Sequence, residues 1–168
     1  MKKLYCLFLV LLPLLFTGCG GKDAKLITFN IASMRGVDSG LAYKSVVMPF
    51  TGTRLIMSTD VFLYSGDISA VHVAENVMPD GQKIEGFYFL LNDKGIRKLT
   101  TATASNMGSY IVLSYAGTPI GLRIIDAVIT DGRLFVCSEY FDKNKTIHDV
   151  VEEMREELDK VNEIKQDI

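Results

Sequence analysis

The sequence predicts an α+β domain: a small mixed or antiparallel sheet of short strands and hairpins, one central helix, and a C-terminal amphipathic helix. Three observations predict it. Short runs rich in β-branched and aromatic residues recur along the chain, punctuated by turns containing Gly, Asp and Pro. One stretch among them, Asn92 to Gly108, carries helical spacing together with a start and a stop signal. The end of the chain, from Thr146 onward, draws a single apolar stripe at helical period. A helix lodged between strands and a second helix after them is the α+β order. At 168 residues the chain has room for one core.

The first eighteen residues stand apart from this domain. Met1-Lys2-Lys3 precedes an apolar run from Leu4 to Phe16 that is interrupted at Pro13. A membrane-spanning helix needs about 20 apolar residues, so the run is short for one, and a basic start with a greasy middle is the pattern of a secretory signal peptide. Phe16-Thr17-Gly18-Cys19 resembles the lipobox of bacterial lipoproteins, which implies cleavage before Cys19 and acylation of that cysteine, palmitate included. The organisation expected is residues 1–18 as lipoprotein signal peptide, 19–25 as lipidated cysteine and short polar tether, and 26–168 as one folded domain. A plain signal peptide or an uncleaved anchor remains the alternative. Several acyl chains would hold the protein firmly where a single chain binds only marginally. The expected location is the cell envelope, on a membrane and facing the periplasm or exterior; Gly20 resembles the outer-membrane-destined pattern of two-membrane bacteria.

Lys25 to Ser33, "KLITFNIAS", reads as the first strand. Met34 to Met48 reads as irregular structure with at most a helical turn, because Gly36 and Gly40 break any period. Thr53 to Ser58 is a strand, and Ser65-Gly66-Asp67 a turn. Ala70 to Leu91 is a hairpin closed at Pro79-Asp80-Gly81. In the helix that follows, Asn92 is the N-cap and Leu91 and Ile96 sit where a hydrophobic staple would. Ile96, Leu99, Thr103 and Met107 share a face, and Gly108 suits the C-terminal cap. Strands are expected at Tyr110 to Ala116, Ile120 to Ile125 and Arg133 to Phe141, with turns at Gly117-Thr118-Pro119 and Asp131-Gly132. The last helix opens on a Thr146/Asp149 cap pair and aligns Ile147, Val150, Val151, Met154, Leu158 and Val161. Arg155 with Asp159 and Glu156 with Lys160 fall at i,i+4 spacing on its polar side.

From Leu91 to Gly132 the chain resembles the head part of the first periplasmic domain of SecD, the preprotein translocase subunit. The positions that carry the likeness are Leu91, Gly95, Leu99, Thr103, Asn106 and Gly108, continued by the turns at Gly117 and at Asp131-Gly132. The upstream segment "VFLYSGDISAVHVAENV" is similar to the family's entry segment. The resemblance implies a SecD-head-like fold in which these residues are structural. It also implies contact with an unfolded client or with an envelope or translocon protein, and so a link to protein export. Two departures limit it. SecD-like proteins carry membrane-spanning segments, and nothing after Gly18 is apolar and long enough to be one. Where the family has an apolar-proline element after the strand, this chain has Gly121-Leu122-Arg123.

The residues offer no catalytic signature, and no catalytic, metal or cofactor site is expected. His72 lies opposite Val71 and Val73 in a strand, and His148 sits in a helical first turn; neither has a second histidine or cysteine at ligand spacing. G-x-S-x-G and phosphate-cradling glycine loops are absent. Asp60, Asp67 and Asp126 would have to meet in space to hold a cation, without EF-hand spacing to support them. Cys137 lies in an apolar strand, as a buried inert thiol would. Without Lys2 and Lys3 the 18 basic and 20 acidic residues become 16 and 20, a net charge of −4 that speaks against nucleic acid. Phe87, Tyr88 and Phe89 are consecutive, and Tyr110, Tyr115 and Tyr140 lie in neighbouring strands. Core packing or an exposed peptide-binding face would use them. The reading that results is a lipid-anchored, non-catalytic protein- or peptide-binding module that uses a sheet edge. A purely structural envelope lipoprotein is the alternative. A hydrolase or metal-dependent enzyme assembled from His72, Asp67 and Asp126 is the less favoured one.

Overall fold

A computed structural model describes residues 26–36, 38–77, 81–140, 142 and 144–166. The signal peptide, Cys19, the tether and the Pro79-Asp80 part of the hairpin turn lie outside these residues. The elements are β1 (Ile27–Ser33), β2 (Tyr43–Val47), β3 (Arg54–Tyr64), a 3-10 turn (Ser65–Asp67), β4 (Ile68–Val77), β5 (Lys83–Leu91), α1 (Asp93–Ser105), β6 (Tyr110–Tyr115), β7 (Thr118–Ile124), β8 (Arg133–Ser138) and α2 (Ile147–Gln166). The strands form one eight-stranded sheet in the order β2-β3-β1-β6-β7-β8-β5-β4. Every pairing is antiparallel.

Alternation along the strands builds the main core on one face. Ile27 and Phe29 of β1, Ile111 and Leu113 of β6, Phe87 and Phe89 of β5, and Leu134 and Val136 of β8 are all fully buried there. Phe29 meets Phe89 edge to face at 5.0 Å. Leu99 of α1 and the α2 stripe of Ile147, Val150, Val151, Met154 and Leu158 close this core. Burying each such side chain contributes about 1.5–3 kcal/mol, so most of the hold on α2 comes from its stripe. The opposite face carries a smaller core. There Met48, Leu55 and Met57 of the β2–β3 hairpin region join Ala32 and Val112, and the hairpin loop is tied down by Thr51 N–H donating to buried Glu139 Oε2 at 2.9 Å.

Both helix starts match the sequence signals. Asn92 Oδ1 accepts from Gly95 N–H at 3.0 Å. Asp149 Oδ2 accepts from Thr146 N–H at 2.7 Å while Thr146 Oγ1 accepts from Asp149 N–H at 3.3 Å. Several boundaries differ. Tyr43–Val47 is a strand inside the segment expected to be irregular: its partner β3 supplies the pairing that its own composition does not announce. β3 runs on to Tyr64, through register shifts that absorb the polar Thr59-Asp60. The β6–β7 turn is Ala116-Gly117, both at positive φ, so Thr118 and Pro119 already belong to β7. β8 stops at Ser138 because Glu139 turns inward to Thr51. Met107 follows the end of α1 and is 52% exposed, so it leaves the buried face assigned to it. On α2, Arg155 pairs with Glu152 and Lys160 with Glu157, in place of the expected i,i+4 partners.

Candidate functional site

An open sheet edge is a template for a partner strand, and the outer strands of this sheet are β2 and β4. On β4, Arg155 of α2 reaches round to donate from Nε to Val71 O at 3.0 Å. Its Nη2 lies 3.1 Å from His72 Nδ1. A guanidinium only donates, so that ring nitrogen accepts, and His72 acts as part of a clip between helix and strand. On β2, Asp38 accepts from Gly40 N–H at 2.8 Å and Ser45 N–H at 2.9 Å, and Gly40 N–H donates to Tyr43 O at 3.0 Å. These bonds hold the Asp38 carboxyl below its usual range. The edges are therefore blunted at Val71 and at Tyr43 to Ser45, which removes the sheet-edge mode expected from the sequence at those residues.

The apolar surface lies elsewhere, at the end of the molecule where β1 finishes, α1 finishes and β6 starts. A groove of about 500 Å³ is lined there by Ile31, Ser33, Arg35, Tyr43, Ile56 and Asn106, among others. Tyr43 in this lining is 49% exposed, and two exposed methionines adjoin lining residues in the chain: Met34, 60% exposed, between Ser33 and Arg35, and Met107, 52% exposed, after Asn106. Met34 is placed by the Tyr110 hydroxyl, 3.6 Å from its sulfur. Tyr43 is held by the loop before it, where Ser39 Oγ accepts from Tyr43 N–H at 3.2 Å and Thr59 Oγ1 donates to Leu41 O at 2.9 Å. Gly36 lets the chain pass Ile56, because a Cβ there would lie 3.2 Å from Ile56 Cγ2. Asn106 ends α1 by donating to Ala102 O at 2.8 Å, and Gly108, at φ +78°, turns the chain into β6. Two methionines and a tyrosine beside a shallow groove form a soft, adaptable surface of the kind that accepts varied apolar side chains.

Comparison with solved structures reveals the relationship of this architecture. The fold is similar to that of SecDF. A membrane component SecDF that enhances protein export matches with a TM-score of 0.52 at 12% identity, over 85% of this chain and 70% of that one. SecDF in a super-membrane-facing form matches with a TM-score of 0.51 at 13% identity, over 80% of this chain and 18% of that chain. No protein-family model and no curated protein sequence matches the chain. Among the described residues no helix is long and apolar enough to cross a membrane.

The positions that carried the SecD resemblance lie in α1 or next to it, except Gly117, which is in the β6–β7 turn. Leu91 is in the core and its N–H donates to Gly132 O at 3.0 Å. Gly95 packs against the 3-10 turn, where a Cβ would stand 2.4 Å from Asp67 O. Leu99 and Thr103 are fully buried, and Thr103 Oγ1 donates to Leu99 O at 2.8 Å and accepts from Ile129 N–H at 3.1 Å. Gly117 and Gly132 hold turns at φ +79° and +71°. Of the set, Asn106 also lines the groove. Cys19 lies outside the described residues.

The side chains weighed for chemistry do not converge. Asp67 is fully buried and hydrogen-bonded by Lys98 Nζ at 2.6 Å. Asp126 is exposed beside Arg123 at 3.7 Å, Asp60 is exposed, and His148 is exposed 3.5 Å from Glu85. Among the described residues no three metal-capable side chains gather. Cys137 is only half-buried, and burial pushes its thiol up, away from the reactive thiolate. Tyr115 is buried, and its hydroxyl is pushed up to about 12 by burial and by the carboxylates of Glu153, Glu157 and Glu156. Tyr88, Tyr110 and Tyr140 are half-buried, so the four tyrosines make no exposed cluster. Met34 and Tyr43 went unmarked as surface residues because they stand in a segment whose period is broken, and Met107 because it continues the helical period just past the helix end.

Proposed function

We propose that the protein is a lipid-anchored envelope component that binds extended or unfolded polypeptide at the Met34–Tyr43–Met107 groove and assists protein export without catalysing a reaction. The carrying observation is that groove, with exposed Met34, Tyr43 and Met107 in or next to its lining segments, on a fold similar to SecDF. Cys19 supplies the anchor in this reading and acyl chains hold it in the membrane. The eight motif residues are scaffold: they fix α1, and α1 fixes Asn106 and Met107 at the groove. The mixed lining of Arg35, Ser33 and Asn106 leaves backbone partners for an extended chain, while the methionines take its side chains.

Site-specific photocrosslinking in cells tests this. A photoreactive residue at Met34 or Met107 should crosslink to exported precursors while they are being translocated, and one at exposed Glu163 should not. Equal crosslinking from all three positions, or crosslinks to mature folded proteins alone, contradicts the proposal.

A further inference from the structure

We propose that the opposite end of the domain, where β1 begins, is a docking surface for the bilayer that holds the anchor. The inference rests on the lipidation of Cys19 proposed above. Three apolar side chains are exposed at this end: Phe50 at 69%, Leu26 at 49% and Tyr64 at 40%. Hydrogen bonds gather Leu26 and Tyr64. Ile27 N–H donates to Ser65 Oγ at 3.0 Å, next to Tyr64, and Ala116 N–H donates to Leu26 O at 3.1 Å. Pro49, the neighbour of Phe50, lines a recess with Tyr115 and Ala116. Lys98 and Lys94 stand over the Tyr64 ring at 4.6 and 5.7 Å. Lys98 is engaged by buried Asp67. Lys94 and Arg97 of α1 are exposed beside Asp93, and the recess carries Lys145 with the carboxylates of Asp142 and Glu153.

Aromatic and aliphatic side chains beside lysines with long apolar stems suit the headgroup layer, where the ring and stem are sheltered and the charge stays wet. The chain length selects the occupant. Seven residue steps from Cys19 to Leu26 reach at most about 24 Å even fully extended, so a lipidated chain keeps this end within that distance of the bilayer. A weak surface held so close acts as if at high concentration. β1 then carries the chain about 22 Å to the other end, which points the Met34 groove away from the membrane and toward passing polypeptide.

The chain has no tryptophan, so a single one reports cleanly. The test uses the full lipidated protein carrying Phe50→Trp or Met34→Trp. It is placed in vesicles of phosphatidylethanolamine with a minority of phosphatidylglycerol, brominated on the upper acyl chain. Quenching several-fold stronger at position 50 than at position 34 supports the docked orientation. Lys94→Gln should then cut the docked-to-undocked ratio about fivefold, from about 1 kcal/mol per basic residue at an anionic surface. Equal quenching at the two positions, quenching at neither, or a signal at position 50 set by protein concentration, as in a self-associated dimer, overturns it. Labelled palmitate uptake, compared with Cys19→Ala, separates the two readings. Without uptake the anchor falls and docking falls with it, whereas uptake with equal quenching removes docking alone.

Discussion

Gly95 shows how one missing side chain holds the domain in shape. The space for its Cβ is taken by Asp67 O at 2.4 Å, so α1 sits directly against the 3-10 turn. That contact lets Asn92 N–H bond Asp67 O at 3.1 Å and Lys98 reach the buried Asp67 carboxylate. Gly95→Ala should therefore destabilise the protein by about 1–3 kcal/mol through overpacking, read as a lower urea midpoint; an unchanged midpoint would show that the turn yields freely. Tyr115 gives a second test. Its raised folded pKa means its contribution to stability is complete below the ordinary 10.0 and is lost as pH rises toward about 12. In a tyrosinate absorbance titration of the folded protein, Tyr115→Phe should delete the step near 12 and leave the rest of the absorbance change as it was. At this scale the sequence was informative about caps and glycines, since Asn92, Thr146 and Asp149 act within their own turn. It was silent on Asp67, whose partner Lys98 is 31 positions away.

Among the elements, α2 was the most legible, because a six-residue apolar stripe leaves one face to bury. Met154 is fully buried on it, and Met154→Ala should cost about 2–5 kcal/mol by thermal or urea unfolding. β2 was the least legible. Its five residues are mostly exposed, and its pairing depends on β3 and its edge on Asp38. That dependence has a pH signature. The Asp38 carboxyl is lowered from 3.8 by the Ser45 and Gly40 amides, so its contribution is present above 3.8 and lost as pH falls through the lower folded value. Asp149 is lowered in the same direction by Thr146. Amide exchange should show Ser45 N–H protected from neutral pH down to the ordinary carboxylate range and released below it, with Asp38→Ala releasing it at every pH. Protection unchanged in Asp38→Ala would show that the edge is shielded by something else.

At the scale of the whole molecule, β1 and α1 both run from the end where β1 begins to the end that holds the groove. The fold class and its SecD likeness were legible from Leu91 to Gly132, where helix, caps and turns follow one another locally. The groove was not. It is assembled from the end of β1, the start of β2, the first half of β3 and the end of α1; exposed Met34 and Tyr43 stand where the period is broken, and Met107 just past the helix whose period it continues. Sequence period marks what a domain buries, and this surface is what it leaves out. The proposed binding of unfolded polypeptide by these three side chains is read out by a titration. A fluorescently labelled unfolded precursor is titrated with the full-length protein and with the Met34→Glu/Met107→Glu form, whose thermal midpoint should match because both positions are exposed. The account predicts saturable binding that weakens at least about tenfold in the double variant, the loss of roughly 1.4 kcal/mol or more from two apolar contacts. Binding of equal strength in both forms, with matched midpoints, would contradict it.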